Sequence, residues 1–388
     1  MMQTRSDRLK ALPPYLFAEI DRKKKAAIAA GRPVINLGIG DPDRPTPDFI
    51  IEAAQRAVAD PATHQYALDR GDAAFRETIA RWFEKRFGVH LDPDTEILPA
   101  QGSKDTLSHL PLAVMNPGDV GLSPDPGYPV YNSSLRFAGG EVVRFPITAA
   151  RRYLPDLAAF DAGVLERAKV IYLNYPNNPT AASAPLAFYE EAVAWARRHG
   201  ILIAQDAAYS EVYFEEPPAS ILQVPGARDV AVEFHSCSKT FNMTGWRVGW
   251  VAGSADVIAS LVKLKSNMDN GVFGAMQRAG AAALDGYDRP EVHEIRAIYR
   301  RRRDTLIRAL GEVGLEVNRP EATFYAWVTC PEGTDSTAFA DRLLEEADIV
   351  TTPGVGYGPH GEGYVRMALT VEEEVLEEAA ARIKRLAL

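Results

Sequence analysis

From about residue 95 the sequence alternates short, nearly continuous apolar runs with stretches of helical amphipathic pattern: EILPA, KDTLSHLPLAVM, VGLSPD, KVIYLNY, PLAFYEEAVAWARRHG, ILIAQDA, AVEFHSC and VGWVAG. Strands without polar alternation must be covered on both faces. The architecture that covers them is a mostly parallel sheet with helices on each side, so an α/β fold is expected. Ligands of such sheets bind beyond the carboxyl ends of the strands, which makes the residues after each run the place to look for chemistry.

Ahead of this region, VINLGIGDPDRPTPDFIIEAAQRAVAD reads as a strand, a proline-punctuated loop and a helix with Thr46 as cap and Pro47 in its first turn. DAAFRETIARWFEKRFG puts Phe75, Ile79, Trp82 and Phe83 on one helical face and stops at Gly88. From about residue 290 the pattern becomes a long charged helix, EATFYAWVTC, a helix, IVTTPG, YVRMALT and a last helix, which suits a smaller α+β domain. With 388 residues the chain exceeds the size at which one core stops growing. The expected division is an N-terminal arm with part of the small domain (1–45), a large domain (46–287) and a C-terminal small domain (288–388).

Composition removes several classes of function. A net charge of −9 speaks against a nucleic-acid partner, which would need a basic face. The local runs DRKKK and YRRRRD have helical spacing and read as solvated helix faces. No apolar window reaches membrane-spanning length, and MMQTRSDRLKALPPYLF lacks the apolar core of a signal peptide, so a cytoplasmic protein is expected. Cys237 and Cys330 are too few for a disulfide framework, and Cys237 reads as a small buried hydrophobe rather than a nucleophile. The histidines form no H-x-x-x-H or H-E-x-x-H pattern, so no metal is expected. GYGPHG satisfies G-x-G-x-x-G letter for letter, but a strand pattern comes after it where a dinucleotide site needs a helix; it reads as a mobile glycine loop.

The residues immediately beyond the strands form a set. Gly102-Ser103-Lys104 opens a helix after EILPAQ, and Gly127-Tyr128 comes after VGLSPD. Asn178 lies in PNNPT after YLNY, Asp206 and Tyr209 come after ILIAQ, and Ser236, Ser238 and Lys239 after AVEFH. Each has an ordinary reading: a helix cap, a stiff loop, a turn carboxylate, a snorkelling lysine. Gathered at one sheet edge, they fit a flat, phosphorylated, basic heterocycle.

The motifs NLGIGDPD, SPDPGYPVY, NYPNNPT, DAAYSEVYF, SCSKTFNMTGWRVGW and GYVRMALT occur in the order found in pyridoxal-5′-phosphate aminotransferases of the aspartate aminotransferase fold type, which the chain resembles along essentially its whole length. One departure is Ala181, where the family commonly has glycine after N-P-T. The resemblance implies that Lys239 carries pyridoxal 5′-phosphate as an internal Schiff base and then acts as general base. Arg247, Ser103, Ser236, Ser238 and the helix start at Lys104 would cradle the phosphate. Asp206 would face the ring nitrogen, Tyr209 and Asn178 the ring oxygen and Tyr128 the ring face. Arg366 would take the substrate α-carboxylate, and Tyr66 would reach the phosphate from the second subunit of a homodimer.

Within that fold type, NLGIGDPDRPTPDFI, FNMTGWRVGW, KSNMDNGVF and PHGEGYVRMALT are most similar to the LL-diaminopimelate aminotransferases. That resemblance implies amino transfer from LL-diaminopimelate to 2-oxoglutarate, with Ile39, Gly40, Asn178 and Arg366 at the substrate. Lys104, Asn270 and Asp69 would serve its distal end. Alternatives are an aspartate, aromatic or broad-range aminotransferase, and a pyridoxal-dependent C–S lyase. A DNA-binding regulator is disfavoured, because the N-terminal arm leaves no room for a helix-turn-helix domain.

Overall fold

The computed structural model describes residues 4–12, 16–67 and 70–386. Strand β1 is Ile35–Asn36, and β2 (Ile97–Ala100), β3 (Val120–Asp125), β4 (Glu141–Pro146), β5 (Ala168–Asn174), β6 (Leu202–Asp206), β7 (Ala231–Ser236) and β8 (Gly249–Gly253) come after it. The last seven form one sheet in the order β2-β8-β7-β6-β5-β3-β4. Only β8 runs antiparallel to its neighbours. Every residue of β3 and β7 is buried, which is why their sequences show no polar alternation. Successive side chains serve opposite cores: Ile171, Leu173 and Ile203 pack with Phe75, Ile79 and Trp82 on one face, and Val170, Tyr172 and Ala204 with Leu107, Leu110 and Phe234 on the other.

The helix Ala73–Phe87 begins where the Asp72 side chain accepts from the Phe75 amide, and ends at Gly88 in the left-handed region (φ 67°). Phe75, Ile79, Trp82 and Phe83 are buried along its inner face, as their spacing requires, and Phe87 joins them. The preceding helix, Asp48–Val58, departs from expectation: its cap is Pro47, with no side-chain hydrogen bond. Thr46 instead donates its hydroxyl to Asn242 O at 2.7 Å, tying this loop to the segment after Lys239. A buried hydroxyl takes whichever acceptor the packing offers, and here a distant carbonyl wins over the local amide.

The C-terminal part adds β9 (Val317–Asn318), β10 (Tyr325–Thr329), β11 (Ile349–Val350), β12 (Thr352–Pro353) and β13 (Tyr364–Ala368). An antiparallel sheet runs β12-β13-β10-β9, while β1 pairs in parallel with β11. Leu37 shares a separate core with Leu306, Phe324, Val328, Phe339 and Met367. The helix Pro290–Gly311 enters the first core through Val292 and this second core through Ile295, Tyr299 and Leu306.

YRRRRD, which lies on that helix, corrects the solvated-face reading. Arg302 and Arg303 are each 1 % exposed. Arg302 donates to both Asp43 oxygens at 2.7 and 2.8 Å, and Arg303 to both Glu215 oxygens at 2.8 and 2.7 Å. Burial of a guanidinium is tolerated because a planar fork meets a planar carboxylate and further donors find carbonyls, those of Leu369 and Pro320. GYGPHG (356–361) holds the end of the 3₁₀ turn Gly354–Tyr357 and all of the turn Pro359–Gly361, with β13 after them; no helix opens there. Gly354 and Gly361 are buried, and a Cβ on either would run into the other's backbone, so these glycines serve close packing rather than a mobile loop. Cys237 is buried, and burial pushes its thiol up to about 12, as fits a hydrophobic filler. Among the described residues no helix is long and apolar enough to cross a membrane.

Candidate active site

The strand ends converge on a cavity of about 590 Å³. Its floor is built from the carboxyl edge of the large sheet: Asp206 is the last residue of β6, Ser236 the last of β7, and Lys239 sits in the one-turn helix Cys237–Thr240 just beyond it. Ser103 and Lys104 open the helix Ser103–Val114 at the cavity wall, and Tyr128 caps the helix Pro129–Phe137. Asn178, Tyr209, Ser238, Arg247 and Arg366 also line it, together with Ile39 and Gly40 from the loop after β1. Ala181 takes the left-handed conformation (φ 60°) that favours glycine, so the turn after Asn178 keeps its shape without one.

Lys239 is half-buried, its Nζ 3.4 Å from Gly40 O. Burial lowers the proton affinity of its amine, with Tyr325 and Asp41 opposing and Arg247 and Arg366 adding to the effect. The outcome is an amine that gives up its proton more readily than a surface lysine.

Asp206 is buried, and burial pushes its carboxyl up to about 6 against the opposing donation from Tyr131. Tyr131 Oη donates to Oδ2 at 2.8 Å, and the Ala208 amide to Oδ1 at 3.2 Å. Asn174 locks the adjoining strand ends: its Nδ2 donates to Asp206 O at 2.9 Å, and its Oδ1 accepts from the Asn178 amide at 2.9 Å.

At the opposite wall Arg366, 2 % exposed on β13, donates to Asn178 Oδ1 at 2.9 Å and to Gly38 O at 2.7 Å. Its guanidinium carbon lies 4.0 Å from the Tyr325 ring centroid. Arg247 adopts a left-handed backbone (φ 57°) and donates to Thr244 O at 2.9 Å and Gln101 O at 3.0 Å, which braces the start of the Ser103 helix. Gly102 lies against this guanidinium, so any side chain there would displace it. Hydroxyls, helix amides and a guanidinium thus share one end of the cavity, as an oxyanion requires.

Not every expected residue enters this cavity. Tyr66 is 76 % exposed, and Asn270 lies in a left-handed turn (φ 57°) beside a separate small cleft with Pro99 and Lys265. Asp69 lies outside the described residues. Sequence reading missed Tyr131, Asn174, Thr244 and Tyr325, all of which line the cavity. Tyr131 had a signal, since it stands three residues after Tyr128 on the helix that Tyr128 caps and so shares its face. Tyr325 had none, for its neighbours in EATFYAWVTC are equally apolar and buried.

Fold and site together define an aminotransferase of class I and II; the chain matches that family over residues 32–383 and belongs to it. Among curated proteins, the LL-diaminopimelate aminotransferase of Aquifex aeolicus is 52% identical over 384 residues, covering 99% of this chain and 99% of that protein. Among solved structures, substrate-bound BacF from Bacillus subtilis has a TM-score of 0.95 at 39% identity, covering 100% of this chain and 99% of that one. A single mutant of Thermus thermophilus aspartate aminotransferase has a TM-score of 0.93 at 30% identity, covering 99% and 100%.

Proposed function

We propose that this aminotransferase is pyridoxal-phosphate-dependent and transfers an amino group from LL-2,6-diaminopimelate to 2-oxoglutarate, giving tetrahydrodipicolinate and glutamate. The observation that carries the cofactor is the donor set of one cavity: a buried carboxylate at Asp206, a phenol at Tyr209, an amide at Asn178, an amine at Lys239, and an anion cradle at Ser103, Ser236, Ser238 and Arg247. These residues fit the group. Asp206 would face its ring nitrogen, Tyr128 its ring face, and Tyr209 with the Asn178 Nδ2 its ring oxygen; the Asn178 Oδ1 is already taken by Arg366. When bound, pyridoxal phosphate supplies a conjugated electron sink for the electron pair left as a Cα–H bond breaks.

The remaining work falls to the chain. Arg366 receives the substrate α-carboxylate and fixes the amino acid with its Cα–H toward Lys239. The Lys239 amine, its proton affinity lowered by burial, takes that proton and would return it to the cofactor carbon on the far side of the amino nitrogen, acting as base and then acid. Asp206 would be kept ionised by a proton on the ring nitrogen and so stabilise charge that develops during the transfer. Tyr66 would complete the phosphate cradle from a second copy in a homodimer, and the two cores are read as two domains of each copy.

The substrate rests on the full-length likeness to proteins named LL-diaminopimelate aminotransferase. The cavity is compatible with it: Lys104 lines the wall together with Arg247 and Arg366 and offers a cation to a distal carboxylate. The test compares kcat/KM for LL-diaminopimelate, meso-diaminopimelate, aspartate and phenylalanine with 2-oxoglutarate as acceptor. The LL isomer is expected to lead by about tenfold or more, since unmatched polar groups in a pocket are costly. Parity with aspartate or phenylalanine overturns the substrate and leaves the aminotransferase standing, and release of ammonia and pyruvate from β-substituted amino acids would indicate a lyase.

A further inference from the structure

We propose that Tyr325 is a positioning residue for this site: its hydroxyl directs the Tyr209 proton into the cavity, and its ring seats Arg366. It opens β10 opposite Ala368 of β13, is 3 % exposed, and reaches the active cavity from the small sheet. Its Oη lies 3.0 Å from Tyr209 Oη, and its ring lies beneath the Arg366 guanidinium at 4.0 Å. A Cβ on Gly40 would run into the same hydroxyl, and Gly40 is the residue whose carbonyl stands 3.4 Å from Lys239 Nζ. Edge contacts with Phe324 (5.0 Å, 66°) and Tyr209 (5.6 Å, 67°) hold the ring in place. Thus one side chain adjoins the groups proposed to meet the ring oxygen and the carboxylate, and packs on the residue whose carbonyl faces Lys239.

The direction of the hydrogen bond is set by counting protons. A phenol has one, so if Tyr209 donates to the ring oxygen of the cofactor, its own oxygen must accept, and Tyr325 is the donor at hand. A hydroxyl that accepts one hydrogen bond donates a stronger one. Tyr209 is faced by Tyr325 from β10, Arg366 from β13 and Tyr128 from the cap of the Pro129–Phe137 helix; burial first, then Tyr325, keeps its phenol protonated far above neutral pH. The second function needs only the ring: a guanidinium over an aromatic face is held by the ring quadrupole and stays flat toward an incoming carboxylate.

The inference rests on the proposed cofactor, and the experiment separates the two. Wild-type, Tyr325→Phe, Tyr325→Leu, Tyr209→Phe and the double Tyr209→Phe/Tyr325→Phe holoenzymes are titrated by visible absorbance, and KM for the amino donor is measured. A donor aimed at the ring oxygen favours its anionic form, so weakening it raises the midpoint of the Lys239–cofactor titration. Tyr325→Phe is expected to shift the midpoint up by about 0.3–0.5 pH unit, a fraction of the Tyr209→Phe shift, and the double variant should match Tyr209→Phe alone. KM should stay within about twofold in Tyr325→Phe and rise about fivefold or more in Tyr325→Leu, which loses the ring. An unshifted midpoint in Tyr325→Phe, a full additive shift in the double variant, or equal KM in the two Tyr325 variants overturns the inference. A wild-type protein without a pH-dependent visible band overturns the cofactor reading and this inference with it.

Discussion

Tyr131 donates its phenol to Asp206 Oδ2 at 2.8 Å, joining the first turn of one helix to the last residue of the central strand β6. The donor is itself fixed: its ring stacks on Tyr172 at 4.8 Å and 17°, and the Tyr172 hydroxyl donates to Leu107 O at 2.8 Å. Burial drives the Asp206 carboxyl up and Tyr131 pulls it back. Tyr131→Phe removes the restraint while keeping the stack. The acid limb of the pH profile of kcat/KM is expected to move upward, with activity at neutral pH reduced about tenfold, the share of one charge-assisted hydrogen bond. An unmoved acid limb contradicts this.

Asp206 also ties stability to function. Its carboxyl in the protein without cofactor is raised to about 6, so it binds a proton more tightly folded than unfolded. Its contribution to stability is therefore complete below about pH 4 and is lost as pH rises to about 6, on the order of 2–3 kcal/mol. Asp206→Asn should abolish that part of the pH dependence in urea unfolding of the cofactor-free protein, yet cut transamination by orders of magnitude. Near-normal turnover would remove Asp206 from the mechanism.

The sign is opposite at Asp105. Burial raises its carboxyl, but His109, the buried Lys265 and the Gln101 amide outweigh burial and hold it at about 2. Its contribution is complete above about pH 4 and disappears as pH falls through about 2, roughly 2 kcal/mol. Asp105, His109 and Asp269 bring ligand-type atoms within 4.8 Å of one another, yet the Lys265 ammonium bonds both carboxylates at 2.6 and 2.7 Å and takes the place a cation would hold. Asp105→Ala, which leaves that ammonium half-paired, should cost about 3 kcal/mol at neutral pH in denaturant unfolding. A loss below about 1 kcal/mol would show the cluster to be solvated.

Borohydride reduction of the purified holoenzyme should fix the cofactor on the peptide containing Lys239. Peptide mass spectrometry reads the result, and labelling of another lysine, or of none, removes Lys239 from its proposed role.

Tyr66 provides the test of a shared site. Lys239→Ala and Tyr66→Ala proteins, each with low activity, should regain part of it when mixed under subunit exchange, because one of the two sites in a mixed dimer would be intact. Mixtures that stay at the level of the parents exclude a shared site.

Much of the site was legible in the chain because a strand buried on both faces announces its own end. The apolar runs ILIAQ and AVEFH stop at the sheet edge, so Asp206 and the Ser236–Lys239 segment had to stand there, whatever the rest of the fold did. Helix positions such as Phe75 and Ile79 were legible for the same local reason: period and capping involve residues a few places apart.

Partner choice was decided only by tertiary structure. Arg302 finds Asp43 across 259 residues and Arg303 finds Glu215 across 88, which draws two arginines of an apparently solvated run into the interior, each on a carboxylate nearer the surface. Thr46 gives its hydroxyl to Asn242 rather than to its own helix, and Tyr325 looks like any other strand residue until the fold brings it to the cavity beyond the large sheet's strand ends. The sequence by itself determined which segments are buried and where they end, since that depends on local pattern and the hydrophobic effect. Only the fold decided which polar group meets which, because a buried donor or charge is tolerated solely by the partner that long-range packing brings to it.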